Sequence, residues 1–298
     1  MNKVCILLST YNGEKYLEEQ LTSLINQEGV DIQILVRDDG STDKTLHILN
    51  KWKKNGLIEW YTGENLRPAK SFMNLLRNAP KADFYAFCDQ DDVWLPNKLN
   101  KAICKIEPTD KPALYLSRTT LVDTDKNIIG MSEFEYKFTL GEAIVTNPAT
   151  GCTLVLNNSL RNIAVRFEPE RLAMHDEWIY KLCLIFNGIL YADKESYILY
   201  RQHDHNVLGA NESFKTKIKR RTELLLGKKA GERSTSLKEL FELYGNDMPS
   251  ESRCFIEKAA KYDKSFFNKM NLILDKRLCA PKFSTMMNFY IAVLLGKF

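Results

Sequence analysis

Residues 84–94 read FYAFCDQDDVW. Phe84, Tyr85, Ala86 and Phe87 run into Cys88, and Asp89, Gln90, Asp91 and Asp92 follow with no polar ramp. A short apolar run cut off by a polar cluster predicts a buried strand of a parallel sheet. Its carboxylates would then stand at the C-terminal end of the strand, where open α/β sheets place their ligands. Asp89, Asp91 and Asp92 repel one another, and sharing a cation relieves that repulsion. The cluster is therefore a candidate divalent-metal site beside something phosphorylated. The competing reading is a solvated acidic turn that leads into a helix near Pro96. Trp94 is expected to pack rather than bind.

Upstream, the pattern repeats. Val4–Leu8 and Ile32–Val36 are short apolar runs, and Leu57–Tyr61 is a weaker one. Between them the apolar spacing is helical: Tyr16, Leu17, Leu21, Leu24 and Ile25, then Leu46, Ile48, Leu49 and Trp52, then Phe72, Leu75 and Leu76 after Pro68. Ser41, or Thr42 followed by Asp43, is a candidate cap for the second helix. The order β-α-β-α-β-α-β predicts a parallel sheet with helices on both faces.

Beyond Cys88 the pattern changes. A helix is predicted from Pro96 to Ile106 and strands over Ala113–Val122, Gly151–Leu156, Ile189–Ala192 and Tyr197–Tyr200. Another helix is predicted over Asp176–Phe186. Residues 214–226, 236–244, 250–274 and 284–295 read as helix. Two regions are expected, 1–210 and a helical 211–298, with the boundary near 207–214.

The bulk properties fit an ordinary globular protein: 298 residues, 44% hydrophobic, 27% charged and a net charge of +4. Lys and Arg dominate 215–233, but no nucleic-acid motif accompanies them. The seven cysteines are odd in number and form no CxxC. Cys5, Cys88, Cys152 and Cys183 lie among apolar neighbours, so a reduced cytosolic compartment is expected and a disulfide framework is not. The apolar run after Met1 is shorter than a secretory core of roughly 7–15 residues, and no transmembrane stretch is apparent.

Polar clusters follow three of the predicted strands: Ser9–Gly13 the first, Arg37–Asp43 the second and Asp89–Asp92 the fourth. In a doubly wound sheet those strand ends share one edge, so the clusters converge on one cleft. Neither GxGxxG nor a Walker sequence is present. A phosphate bound here would need a metal or a basic side chain, for which Arg37, Arg67 and Lys70 are candidates.

These residues carry a resemblance. LLSTYNGEKYLEEQLTSLINQ (7–27), RDDGSTDKT (37–45) and FCDQDDVWLPNKL (87–99) are similar to family 2 glycosyltransferases of bacterial polysaccharide assembly. HDEWIY (175–180) and YRQHDHNVLGA (200–210) resemble its rhamnosyltransferase-like branch. The resemblance implies the GT-A fold, a Rossmann-like mixed sheet with helices on both faces, here followed by a helical C-terminal region. It implies a DxD motif at Asp89 and Asp91, with Asp91 on Mg²⁺ or Mn²⁺ and Asp89 near the ribose or the metal. Thr10 and Asn12 match the first nucleotide loop, with Tyr11, Glu14 and Gln90 beside them. Asp39 matches the base-binding aspartate, and Asp38 is the alternative one position away. Lys70 matches a basic residue near the base or phosphate. Where the family has a glycine after Asn65, this chain has Arg67.

The resemblance also places the catalytic base at Asp176, which the helix macrodipole would hold at a low pKa. The rival role is an N-cap. Arg201, His203 and His205 are candidates to reach the metal or the diphosphate. Gly151, Cys152, Glu177 and Trp178 fall beside the acceptor. The implied reaction is inverting, metal-dependent transfer of a sugar from a nucleoside diphosphate, dTDP-rhamnose first and a UDP-sugar second, to a lipid-linked or growing polysaccharide. A homodimer or a membrane surface is an open partner of the helical region. The rival functions are a sugar-nucleotide pyrophosphorylase, whose basic Gly-rich loop Ser9–Gly13 lacks, and a non-catalytic binding module, which would not need Asp176.

Overall fold

The computed structural model describes residues 1–107, 109–202 and 231–298. The first strand, β1 (Lys3–Thr10), alternates its side chains between two cores: Val4, Ile6 and Leu8 enter one and Cys5 and Leu7 the other. That two-sided burial is why its sequence is a continuous apolar run. Next come α1 (Leu17–Ile25), β2 (Asp31–Asp38), α2 (Thr45–Lys54), β3 (Glu59–Thr62), α3 (Arg67–Asn78) and β4 (Phe84–Cys88). The four strands pair in parallel, β3-β2-β1-β4. Helices α1 and α2 cover one face, through Leu17, Leu21, Leu24, Leu49 and Trp52. Helix α3 covers the other through Phe72, Met73, Leu75 and Leu76. Neither Ser41 nor Thr42 caps α2. Instead Asp43 Oδ1 accepts from the Thr45 N–H at 2.9 Å, because Ser41 is drawn to Asp38.

The second half extends the sheet as a mixed one. It contains β5 (Val93–Trp94), α4 (Lys98–Ile106), β6 (Ala113–Val122), β7 (Ile128–Met131), α5 (Leu140–Val145), β8 (Val155–Asn157), α6 (Asn158–Ala164), α7 (His175–Ile185) and β9 (Ile189–Arg201). The order continues β4-β8-β6-β9-β5, with β8 antiparallel to both β4 and β6 and with β7 on β6.

Two expectations change here. Gly151–Thr153 is a turn of 3₁₀ helix, so only the end of the predicted Gly151–Leu156 strand pairs, as β8. The two short strands predicted at 189–192 and 197–200 are one continuous strand. Its polar Lys194 and Glu195 are absorbed by a register shift, Ser117 pairing with Asp193 and Arg118 with Ser196.

The last described helices are α8 (Glu232–Tyr244), α9 (Ser250–Ala260), α10 (Phe266–Ile273) and α11 (Phe283–Leu295). The single helix predicted over 250–274 is broken at Tyr262–Lys264, because Ser265 is extended and its Oγ caps α10 by accepting from the Asn268 N–H at 3.1 Å. The predicted 214–226 helix and the expected boundary at 207–214 lie outside the described residues. Leu237, Leu240, Tyr244, Phe255 and Val293 share one apolar core with Phe72, Tyr85 and Trp178. At Gly141 a Cβ would overlap the Arg277 carbonyl oxygen, so α5 meets the C-terminal segment at backbone contact. Among the described residues no helix is long and apolar enough to cross a membrane.

Candidate active site

The three polar clusters meet at the C-terminal edge of β1, β2 and β4, as their order requires. Gln90 stitches two of them together: its Oε1 accepts from Thr10 Oγ1 at 2.6 Å and from the Tyr11 N–H at 2.9 Å, and its Nε2 donates to the Tyr11 carbonyl at 3.2 Å. Asn12, at φ 48°, turns the chain so that its N–H donates to Ser41 Oγ at 2.8 Å while its Oδ1 accepts from the Thr42 N–H at 2.9 Å. Glu14 closes the junction, its N–H donating to Asp43 and its carboxylate accepting from the Lys44 N–H. The Tyr11 side chain stays exposed at the rim.

Asp38 and Asp39 are both buried but differently occupied. Asp38 accepts from the N–H groups of Gly40 and Ser41 and from the hydroxyls of Ser41 and Thr62. It is a brace for its own loop. Asp39 accepts from the Leu66 N–H at 3.0 Å and Ser71 Oγ at 2.8 Å and pairs with Arg37. The phosphate role considered for Arg37 is thereby corrected: its guanidinium is buried and committed to Asp39, Ser71 and the Glu64 carbonyl. Lys70 remains exposed in the first turn of α3.

In the Asp89–Asp92 loop, ligand atoms of Asp89, Asp92 and Cys152 lie within 4.8 Å of one another. Burial, followed by the charges of Asp91 and Asp176, pushes the Asp89 carboxyl up to about 7. Burial and the neighbouring carboxylates raise Asp92 as well. Asp92 Oδ1 accepts from the Arg201 N–H at 3.2 Å, whereas Oδ2 is buried with no hydrogen-bond donor on it among the described residues. Clustered carboxylates raised by burial and then by one another's charge, one with an orphaned oxygen, are a donor set that fits a hard divalent cation.

Arg201 has a different place from the one expected. Its side chain donates to the carbonyls of Asp91 at 3.0 Å and Thr124 at 2.6 Å and to Glu19 Oε2 at 2.5 Å, and it lies over the Tyr16 ring. It anchors the aspartate loop instead of reaching into the cleft. His203 and His205 lie outside the described residues.

Asp176 stands in the first turn of α7. Its Oδ1 accepts from Asn147 Nδ2 at 3.1 Å and from the Glu177 N–H at 2.6 Å. The macrodipole expectation fails: burial outweighs these donors and the helix end and pushes the carboxyl up to about 7. Gly151 explains the close approach of the next layer, since a Cβ there would stand 2.7 Å from His175 Nε2 and 3.8 Å from Asp176 Oδ2. Cys152, next to it, is buried against Asp89 and Asp92. His175 lies between Phe72 (4.2 Å between centroids) and Phe87 (4.9 Å), and burial lowers its pKa to about 3, so it is neutral.

The two neighbours expected at the acceptor face elsewhere. Glu177 is buried in an ion pair with Lys181 and with Arg233 Nε at 2.9 Å. Trp178 is buried in the core beside Tyr244. Sequence reading missed Asn147, Arg233 and Lys98. Lys98 is buried with Nζ 3.6 Å from the Trp94 ring centroid, and burial lowers its pKa to about 8. None has a local signal, because each acts on a residue far away in the chain or, for Lys98, on a ring whose burial only the fold creates.

The strand ends thus carry a carboxylate cluster, with a second buried carboxylate, Asp176, near enough for its charge to act on Asp89. The profile of Glycosyl transferase family 2 matches residues 5–162. The dTDP-rhamnosyl transferase RfbG of Shigella flexneri is 33% identical over 237 residues, 72% of this chain and 77% of that protein. The chain therefore belongs to glycosyl transferase family 2. The Escherichia coli UDP-Glc:α-D-GlcNAc-diphosphoundecaprenol β-1,3-glucosyltransferase WfgD is 27% identical over 53% of this chain and 62% of its own length. Among solved structures, the fold is similar to that of S. aureus TarS 1–349 in complex with UDP-GlcNAc. The TM-score is 0.57 and the identity 19%, over 98% of this chain and 90% of that one.

Proposed function

We propose that this family 2 glycosyltransferase is inverting and moves a sugar, rhamnose first, from a nucleoside diphosphate to a hydroxyl of a lipid-linked or growing polysaccharide. dTDP-rhamnose is the preferred donor and a UDP-sugar the second. That the Shigella relative is a dTDP-rhamnosyl transferase supports the sugar, and that the Escherichia relative acts on a diphosphoundecaprenol-linked sugar supports an acceptor on a lipid diphosphate. On this reading the enzyme works in the cytoplasm, at the inner face of the plasma membrane.

The observation that carries the reading is Asp176. It is a buried carboxylate held by Asn147, with a pKa near the operating pH and a charge that is felt at Asp89. That is what a general base for a sugar hydroxyl requires. Asp176 takes the proton as the acceptor oxygen attacks the anomeric carbon from the face opposite the nucleotide, and no protein nucleophile is needed. Thr10, Tyr11, Asn12, Glu14, Gln90 and Asp39 frame the nucleoside. Asp39 is taken as the base-binding aspartate, as the family resemblance implies, with Asp38 the alternative; both carboxylates are braced by neighbouring donors. Lys70 faces the phosphates. Asp91 and Asp89 would hold Mg²⁺ or Mn²⁺, with Asp92 beside Asp89 as a further donor, and the ion when bound would offset the charge of the diphosphate. Gly151 and Cys152 form the floor on the acceptor side.

The test is a panel of nucleoside diphosphate sugars, scored for thermal shift with and without Mn²⁺ and then for turnover by wild type and Asp176→Asn. A true donor raises the melting temperature by mass action, and the Asp176→Asn protein should still bind it while turning over at least about a hundredfold more slowly. Full turnover by Asp176→Asn would remove the base assignment.

A further inference from the structure

Helices α10 and α11 carry an apolar surface that nothing in the described chain covers. On α11, Phe283, Met287, Ile291, Leu294 and Leu295 are all exposed, at spacings of four, four, three and one. This is one stripe of the helix, and the buried Phe289, Ala292 and Val293 lie off it. On α10 and at its C-terminal cap, Phe267 and Leu274 are 76% and 71% exposed and seven residues apart, with Phe266 beside Phe267 at 70%. Lys269 Nζ donates to the Leu294 carbonyl at 2.7 Å, so the start of α10 lies against the end of α11. The two exposed sets therefore lie on neighbouring, contacting helices. Apolar patches of this kind mark interaction surfaces.

Charge identifies the partner. From Lys264 to Phe298 the chain has six Lys or Arg and one acid, Asp275. A cation stands just outside each end of each stripe: Lys264 before Phe266, Lys276 and Arg277 after Leu274, Lys282 before Phe283 and Lys297 after Leu295. Asp275 is taken by Lys258 and Arg277, and Lys282 pairs with Glu133. Lys264, Lys276 and Lys297 make no ion pair among the described residues. Exposed aromatic and aliphatic side chains bracketed by lysines match the boundary of an anionic bilayer: rings at the acyl edge, ammonium groups at the phosphates. A second copy of the chain would bring an equally basic rim against this one, which disfavours it.

We propose that the exposed face of α10 and α11 is a docking surface for an anionic lipid bilayer, on which the enzyme lies without crossing it. The proposal builds on the lipid-linked acceptor reading by naming the membrane-facing surface, but it is tested without donor or acceptor.

The experiment is co-sedimentation of the full chain with vesicles of phosphatidylcholine alone or doped with phosphatidylglycerol, over a salt series. The expected result is binding to the doped vesicles, weakened by salt. Phe267→Ser with Phe283→Ser should reduce it roughly tenfold or more, and Lys264→Glu with Lys297→Glu should abolish its salt dependence. Both pairs change exposed side chains, and an unchanged melting temperature confirms their folding. The wild-type salt series needs no variant. Failure to sediment with either vesicle, or binding indifferent to phosphatidylglycerol, overturns the proposal. So does velocity sedimentation that finds a dimer which Phe267→Ser with Phe283→Ser dissociates. A donor-induced thermal shift alongside absent vesicle binding would leave the glycosyltransferase reading intact and remove this surface alone.

Discussion

Asn147 Nδ2 donates to Asp176 Oδ1 at 3.1 Å, across 29 residues of sequence. The bond stabilises the ionised carboxylate, which burial holds at about 7. A base is competent only when deprotonated, so kcat/KM should rise with pH through about 7. Asn147→Ala removes one donor to the anion, raises the pKa and moves that limb to higher pH by roughly 0.5–1 unit. A pH–rate profile that does not move would show that Asn147 does not set the ionisation of the base.

Asp91→Ala should remove metal-assisted binding of the donor. The Mn²⁺-dependent part of the nucleotide-sugar thermal shift should vanish, and turnover should fall by about a hundredfold or more. Isothermal titration with Mn²⁺ and UDP or dTDP checks the same point. Unchanged activity and nucleotide affinity would remove Asp91 from the metal.

Glu177 joins the catalytic helix to the C-terminal region. Burial raises its pKa, but Arg233 and Lys181 outweigh burial and bring it to about 2. A depressed carboxylate contributes stability above its unfolded pKa of about 4.5, and loses that contribution as pH falls toward 2. Glu177→Gln should therefore cost about 3 kcal/mol at neutral pH, since it leaves two cations without their partner. The gap from wild type should shrink between about pH 5 and 2. Urea unfolding across that window measures it, and a gap independent of pH would contradict the ion-pair account.

Gly151→Ala places a methyl carbon 2.7 Å from His175 Nε2. The imidazole is held between Phe72 and Phe87 and cannot swing away cheaply. The expected loss is about 1–3 kcal/mol of stability, with turnover reduced as α7 and Asp176 are pushed back. An alanine variant with wild-type melting temperature and kcat would mean that the contact relaxes freely.

Much of this was legible in the chain. Phe84–Cys88 is the predicted strand to the residue, and the clusters at Thr10–Asn12, Asp38–Asp39 and Asp89–Asp92 meet at one sheet edge because parallel strands point their C-termini the same way. The breaks in the reading have local physical causes. Ser265 caps a new helix inside what had looked like one periodic segment. Lys194 and Glu195 are polar residues inside a strand that a register shift accommodates.

What the sequence by itself determined is the layered α/β sheet and the place of the carboxylate cluster, since both depend on periodicity and spacing within a segment, and the family, which its motifs carry by resemblance. Only the tertiary structure decided the electrostatics. Asp176 has a raised pKa instead of a lowered one because burial, which no local pattern measures, outweighs the helix end. Arg37, Arg201 and Glu177 looked free to meet a ligand and are spent on Asp39, the Asp91 loop and Arg233. The last two of these contacts span 110 and 56 residues. A charge's role is set by the partners that folding brings to it and by the water that folding removes.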